Sequence, residues 1–295
     1  MIPNLQHVVI ATDFSPGATA ALRRAAWLPL STGATLSTFH AIPDTIPPNL
    51  RDAAAERALG TLRNAAGEAA AVARGRGLNV KIECAVVVGT PHVEIVRFAR
   101  STGAERIVVG RHGARPLRDA FLGSTAERVI RKGDTPVLLV NGDPEGVYDR
   151  ALVALDLSDV SRRVSDLAVA LLPGDARALR IVHAFHLPFE GWLQGTTLDE
   201  LRRERQRAAK AAAKDLAAEY SAQGVRCDVA VREGDPRIVI IREAVRARSD
   251  LVVVGTHARS GVAHALLGSV AEWVIRSSPC DVAVTRPARF AFEMP

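Results

Sequence analysis

Apolar residues follow two rhythms along this chain, short unbroken runs and longer stretches with helical spacing. Residues 7–12 form a run of the first kind, suited to a central parallel strand covered on both faces. Ser15 and Pro16 follow, a serine placed to cap a helix and a proline at its first position. A second strand ends at His40, an Ala- and Arg-rich helix covers about 51–74, and a third strand covers 80–88. A short helix is predicted after Pro91, a fourth strand at 107–109, a last helix from Gly123 and Ser124, and a final strand at 137–140. The pattern then starts again. Val164, Leu167, Ala168 and Leu171 keep the spacing of a core-packed helix, closed by Pro173 and Gly174. A strand ends at His183, a helix covers about 198–220, and strands follow at 225–231, 251–254 and 282–285. Helices are predicted after Pro236 and from Gly268 and Ser269. Strands alternating with helices imply right-handed crossovers and a parallel sheet with helices on both faces. Such sheets bind ligands beyond the carboxyl ends of their strands, where strand order reverses.

The second round is a duplication of the first. Asp13 maps to Asp156 and His40 to His183, both at an offset of 143. From Gly89, which maps to Gly234, the offset is 145, and residues 107–131 then match 252–276. The turn-rich stretch Asn141–Gly146 reads as a linker, giving units of 1–146 and 147–295. Each unit ends on an apolar strand. An unpaired edge of that kind invites pairing, and two copies in one chain are always close, which predicts an intrachain pseudo-dimer through these strands.

Composition narrows the functional classes. Of 295 residues 48% are hydrophobic but only 4% aromatic, so the cores are aliphatic. The net charge is +6, yet the arginines are interleaved with acids and no basic block carries stacking aromatics, which argues against nucleic acid. Three cysteines (Cys84, Cys227 and Cys280) make neither a disulfide scaffold nor a zinc site. No apolar run is long enough for a membrane span and no leader pattern is evident, so a cytoplasmic protein is expected.

Candidate chemistry gathers after the fourth strand. Gly110, Arg111, His112 and Gly113 are followed, after nine intervening residues, by Gly123, Ser124 and Thr125. Glycines let backbone approach a phosphate closely, and a helix start offers free N–H groups and a positive dipole end. A second reading stands beside this one: Ser124 with Glu127, and Ser269 with Glu272, have the spacing of capping boxes that need no ligand. The loop is neither a Walker A motif nor a dinucleotide fingerprint.

With an Asp-x-Ser at the end of the first strand (Asp13) and a small residue after the second (Ala41), Gly110, Gly113, Gly123 and Ser124 resemble the signature of the universal stress protein family, over nearly the whole chain twice. The resemblance implies two tandem α/β domains, each a doubly wound, Rossmann-like parallel sheet of the adenine-nucleotide α-hydrolase type with strand order 3-2-1-4-5. It implies Asp13 beside an adenosine, the Ala41 backbone reading the adenine edge, and the glycine loop, Ser124 and the Thr125 backbone taking the phosphates of ATP or another adenine nucleotide, with Mg²⁺. In the second half Asp156, Ala184, Gly255, Gly268, Ser269 and Val270 match, but Ala258 replaces the second glycine, which predicts weaker binding there. A stress-response sensor with at most slow hydrolysis and a regulatory protein partner is the implied function, with homodimerisation open. An ATPase or adenylyl-transferring enzyme and a nucleotide-independent interaction module remain alternatives. No catalytic motif is present for the former. Arg111, Arg115, Arg118, Arg259 and His264 near the loops suit either phosphate contact or solvent. The pairs His40/His183 and His112/His257 lack metal-ligand spacing.

Overall fold

The computed structural model describes residues 4–111, 122–158, 160–174, 178–187, 196–256 and 267–286. Within the first half, β1 (Leu5–Ala11), α1 (Pro16–Trp27) and β2 (Leu30–Ile42) are followed by α2 (Pro48–Gly75) and β3 (Lys81–Val88). Then come α3 (Pro91–Ser101), β4 (Arg106–Gly110), α4 (Ser124–Lys132) and β5 (Val137–Val140). The second half repeats the order with β6 (Ala151–Ala154), α5 (Ser161–Leu171), β7 (Ala178–Phe185) and α6 (Thr196–Ser221). It closes with β8 (Arg226–Glu233), α7 (Pro236–Ala247), β9 (Leu251–Gly255), α8 (Ser269–Ser277) and β10 (Asp281–Thr285). Ser15 does cap α1, its hydroxyl accepting from the Ala18 N–H, with Pro16 at the first helical position.

All ten strands join one sheet in the order β3-β2-β1-β4-β5-β10-β9-β6-β7-β8. Each half has the order 3-2-1-4-5, with parallel neighbours throughout. The direction of winding reverses between β1 and β4, and again between β6 and β9, so a crevice opens at each of those carboxyl ends. Alternate residues serve opposite faces. Val8 and Ile10 of β1 pack under α1, while Val9 and Ala11 pack towards α3 and α4.

The halves meet where β5 and β10 pair antiparallel. Leu138 lies opposite Ala283, its own counterpart at the offset of 145, so a local pseudo-two-fold axis passes through that pair. The same axis relates α4 to α8. Arg131 reaches Glu272 (3.5 Å) and Arg276 reaches Glu127 (3.2 Å), while each arginine also bonds the glutamate of its own helix.

A second set of contacts at the junction ignores the symmetry. Tyr148, just after the linker, is buried and donates to Asp281 Oδ2 (2.5 Å), which Arg24 of α1 also reaches (3.0 Å). The Arg24 guanidinium lies 4.2 Å from the Tyr148 ring centre and donates to the Gly146 carbonyl. Arg111, read from sequence as a loop arginine for phosphate or solvent, does neither. It is buried, and its guanidinium donates to Asn141 Oδ1 (2.8 Å), to the Ser278 carbonyl (2.8 Å) and to the Arg276 carbonyl at the end of α8. A cation at a helix C-terminus is favourably placed against its dipole.

Candidate functional site

The loop leaving β1 has a fixed, unusual shape. Phe14 has a left-handed φ of 64°, and its counterpart Leu157 one of 59°, conformations that bulky residues adopt rarely. Side chains hold the turn in place. Thr12 Oγ1 accepts from the Phe14 N–H (2.9 Å), and Asp13 Oδ1 accepts from the Ser15 N–H (3.1 Å). His40 Nδ1–H donates to the Thr12 carbonyl (2.8 Å), and its ring lies against Phe14 with centres 4.4 Å apart. The second half does the same: His183 Nδ1–H donates to the Leu155 carbonyl (2.8 Å), and Asp156 Oδ1 accepts from the Ser158 N–H (3.0 Å). The repeated histidine is therefore a tether that pins the end of the first strand to the second.

Gly110 explains itself differently from the phosphate argument. A Cβ there would sit 2.5 Å from the Gly17 carbonyl carbon, so the start of α1 packs directly on this glycine. That contact sets the start of α1 against the end of β4. The capping-box reading of Ser124 does not hold. Gly123 is the N-cap, no side chain caps the helix, and Ser124 is its first residue. Glu127 turns instead to Arg131. In the second half Gly268 is likewise the N-cap without a side-chain cap, and Glu272 pairs with Arg276. A helix start without a side-chain cap leaves its first-turn N–H groups for another acceptor.

These pieces converge on one cavity per half. The first, of about 420 Å³, is lined by Asp13, Ala41, Gly110, Gly123, Ser124 and Thr125, together with Ser15 and His40. The second, of about 620 Å³, is lined by Asp156, Ala184, Gly255, Gly268, Ser269 and Val270, together with Ser161 and His183. Side-chain size accounts for part of the difference, since Phe39 at the first cavity corresponds to Val182 at the second. Both volumes are in the range of small-molecule sites. Gly113, His112, Arg115 and Arg118 lie outside the described residues, as do Ala258, His257, Arg259 and His264. Among the described residues no three His, Cys, Asp or Glu side chains group as metal ligands, and no helix is long and apolar enough to cross a membrane. Burial pushes the Cys280 thiol up to about 12.

A model of the universal stress protein family matches residues 4–141 and again 147–286. The chain belongs to the universal stress protein family. A universal stress protein of Mycobacterium tuberculosis is 29% identical over 226 residues, covering 73% of this chain and 72% of that one. One from Methanocaldococcus jannaschii is 45% identical, but over 60 residues only, spanning 20% of this chain and 37% of the relative. The crystal structure of a universal stress protein from Archaeoglobus fulgidus superposes with a TM-score of 0.70 at 21% identity, over 95% of this chain and 98% of that one. The tandem fold is thus shared over the full length of a solved relative.

Six residues of each cavity wall are legible in the sequence, and three features of the site are not. The left-handed Phe14 and Leu157 carry no glycine to announce them. The histidine tether shows only as a repeated pair. Ser161 belongs to no motif, and only aligning the halves, which sets it against Ala18, exposes the difference.

Proposed function

We propose that this universal stress protein binds ATP or a related adenine nucleotide, with Mg²⁺, in a cavity at the carboxyl end of each half-sheet, and signals occupancy to a regulatory protein partner in the cytoplasm. Asp13 and the Ala41 backbone take the nucleoside, and Gly110, Gly113, Gly123, Ser124 and the Thr125 backbone take the phosphates. Asp156, Ala184, Gly255, Gly268, Ser269 and the Val270 backbone do the same in the second half. The units divide near residue 146. Turnover is at most a slow reset, since the described residues of the cavity walls offer no nucleophile with an adjacent base. One observation carries the reading: two helix starts, α4 and α8, reach cavities of ligand size with glycine N-caps and, among the described residues, no side-chain cap.

The triphosphate is expected to bind the first half more tightly, since Ala258 stands where the first half has Gly113. Mass spectrometry of ligand released by heat from the purified protein, with calorimetric titration of ATP and Mg²⁺, tests the proposal. Gly123→Asp sets a carboxylate at the phosphate position and abolishes binding in the first half while circular dichroism stays unchanged. Absence of any adenine-nucleotide binding at millimolar ligand would end the proposal.

A further inference from the structure

The two cavities differ at one buried hydroxyl. Ser161, the first residue of α5, is 6% exposed and lines the second cavity, and its Oγ has no hydrogen-bond partner. Asp156 lines the same cavity. Its Oδ1 is bonded to Ser158, but its Oδ2 is buried and also lacks a partner. The counterpart of Ser161 in the first cavity is Ala18, which offers no hydroxyl. A buried polar atom without a partner is costly, and a carboxylate oxygen more so. A ligand that brings hydroxyls to that wall would satisfy both.

We propose that Ser161 makes the second cavity the more selective for ribonucleotides. Asp156 Oδ2 accepts from one hydroxyl of a ribose 2′,3′-diol, and the Ser161 hydroxyl bonds the other. This rests on the nucleotide reading above, and concerns selectivity for the sugar rather than affinity for phosphate. Ala18, which offers no hydroxyl, leaves the first cavity with weaker discrimination. A site built to bond a hydroxyl rejects the analogue that lacks it, because its own buried groups are then left unpaired.

The test uses the full chain with the first cavity blocked by Gly123→Asp, titrated calorimetrically with ATP and with 2′-deoxy-ATP. The expected result is ATP binding at least about tenfold tighter than the deoxy analogue, narrowing to about threefold or less in Ser161→Ala through weaker ATP binding. Conversely, Ala18→Ser in a chain blocked by Gly268→Asp widens the ratio at the first cavity. An unchanged ratio in Ser161→Ala, with ATP still bound, overturns the inference and leaves the nucleotide reading standing. No ATP binding to the unsubstituted chain overturns both. Should a blocked chain fail to fold, competition of 2′-deoxy-ATP against labelled ATP in equilibrium dialysis of the unblocked chain reads the same change. There, a competition curve unaltered by Ser161→Ala refutes the role of Ser161.

Discussion

Gly110→Ala is the most direct probe of how the fold shapes the first cavity. The added Cβ would lie 2.5 Å from the Gly17 carbonyl carbon, 2.6 Å from its oxygen and 2.8 Å from the Ala18 nitrogen. Ordinary contact begins at 3.4 Å, so the helix start must retreat by 3.4 − 2.5, or about 0.9 Å, and it is backbone rather than a flexible side chain that must move. Overpacking of this kind costs about 1–3 kcal/mol, and opposing backbone puts it at the upper end. A cost near 3 kcal/mol corresponds to a fall in Tm of about 6–12 °C for a domain of this size. Because Ser15 and Ala18 belong to the segment that moves and line the cavity, nucleotide affinity in the first half falls as well. Gly142→Ala is the control, since nothing lies within 4 Å of its Cβ position. Differential scanning calorimetry of the two variants, followed by ATP titration, makes the comparison. A Gly110→Ala protein that melts within 1 °C of the control would refute the close-approach argument, and the glycine would then have to be explained by the ligand alone.

Three further outcomes are expected. Glu243 is buried between Arg180 (3.0 Å) and Arg232 (2.9 Å); burial alone would raise its pKa, but the hydrogen bonds from the two arginines outweigh burial and hold it below the ordinary value of 4.5. Its stabilising effect is therefore present above pH 4.5 and lost as pH falls through the depressed folded value, so urea midpoints should drop more steeply below pH 4.5 in the natural chain than in Glu243→Gln. Tyr148→Phe removes the hydroxyl that donates to buried Asp281 and should cost about 1.5–3 kcal/mol in urea unfolding; a change under about 0.5 kcal/mol would deny this contact a part in holding the linker. Leu138→Lys sets a charge at the fully buried centre of the β5–β10 pair, and is expected to expose the apolar seam and raise dye binding, whereas an unaltered melting curve would contradict the pairing.

Local chemistry along the chain was enough for the repeat, the strand–helix alternation and six residues of each cavity wall. Offsets of 143 and 145 tie every strand end in one half to its counterpart, and the order 3-2-1-4-5 places those ends together in both halves. Patterning and turn residues act within a few positions of themselves, so they can be read in line. Other decisions depend on what arrives from far away. Whether Ser124 caps α4 turned on Gly123, whose N–H is drawn to the Arg111 carbonyl (2.9 Å), shifting the helix start by one residue. Arg111 left the loop because carbonyls at the end of α8, more than 160 residues later, gave its charge a buried set of acceptors. The glycine at 110 answers to α1 rather than to its own turn. The core of the second half holds Glu243 where the first has Phe98, a swap made tolerable only by Arg180 and Arg232 converging from β7 and β8. Sequence proximity cannot report such contacts, because a buried charge or an unpaired hydroxyl is defined by what the packed chain brings, or fails to bring, within hydrogen-bonding distance.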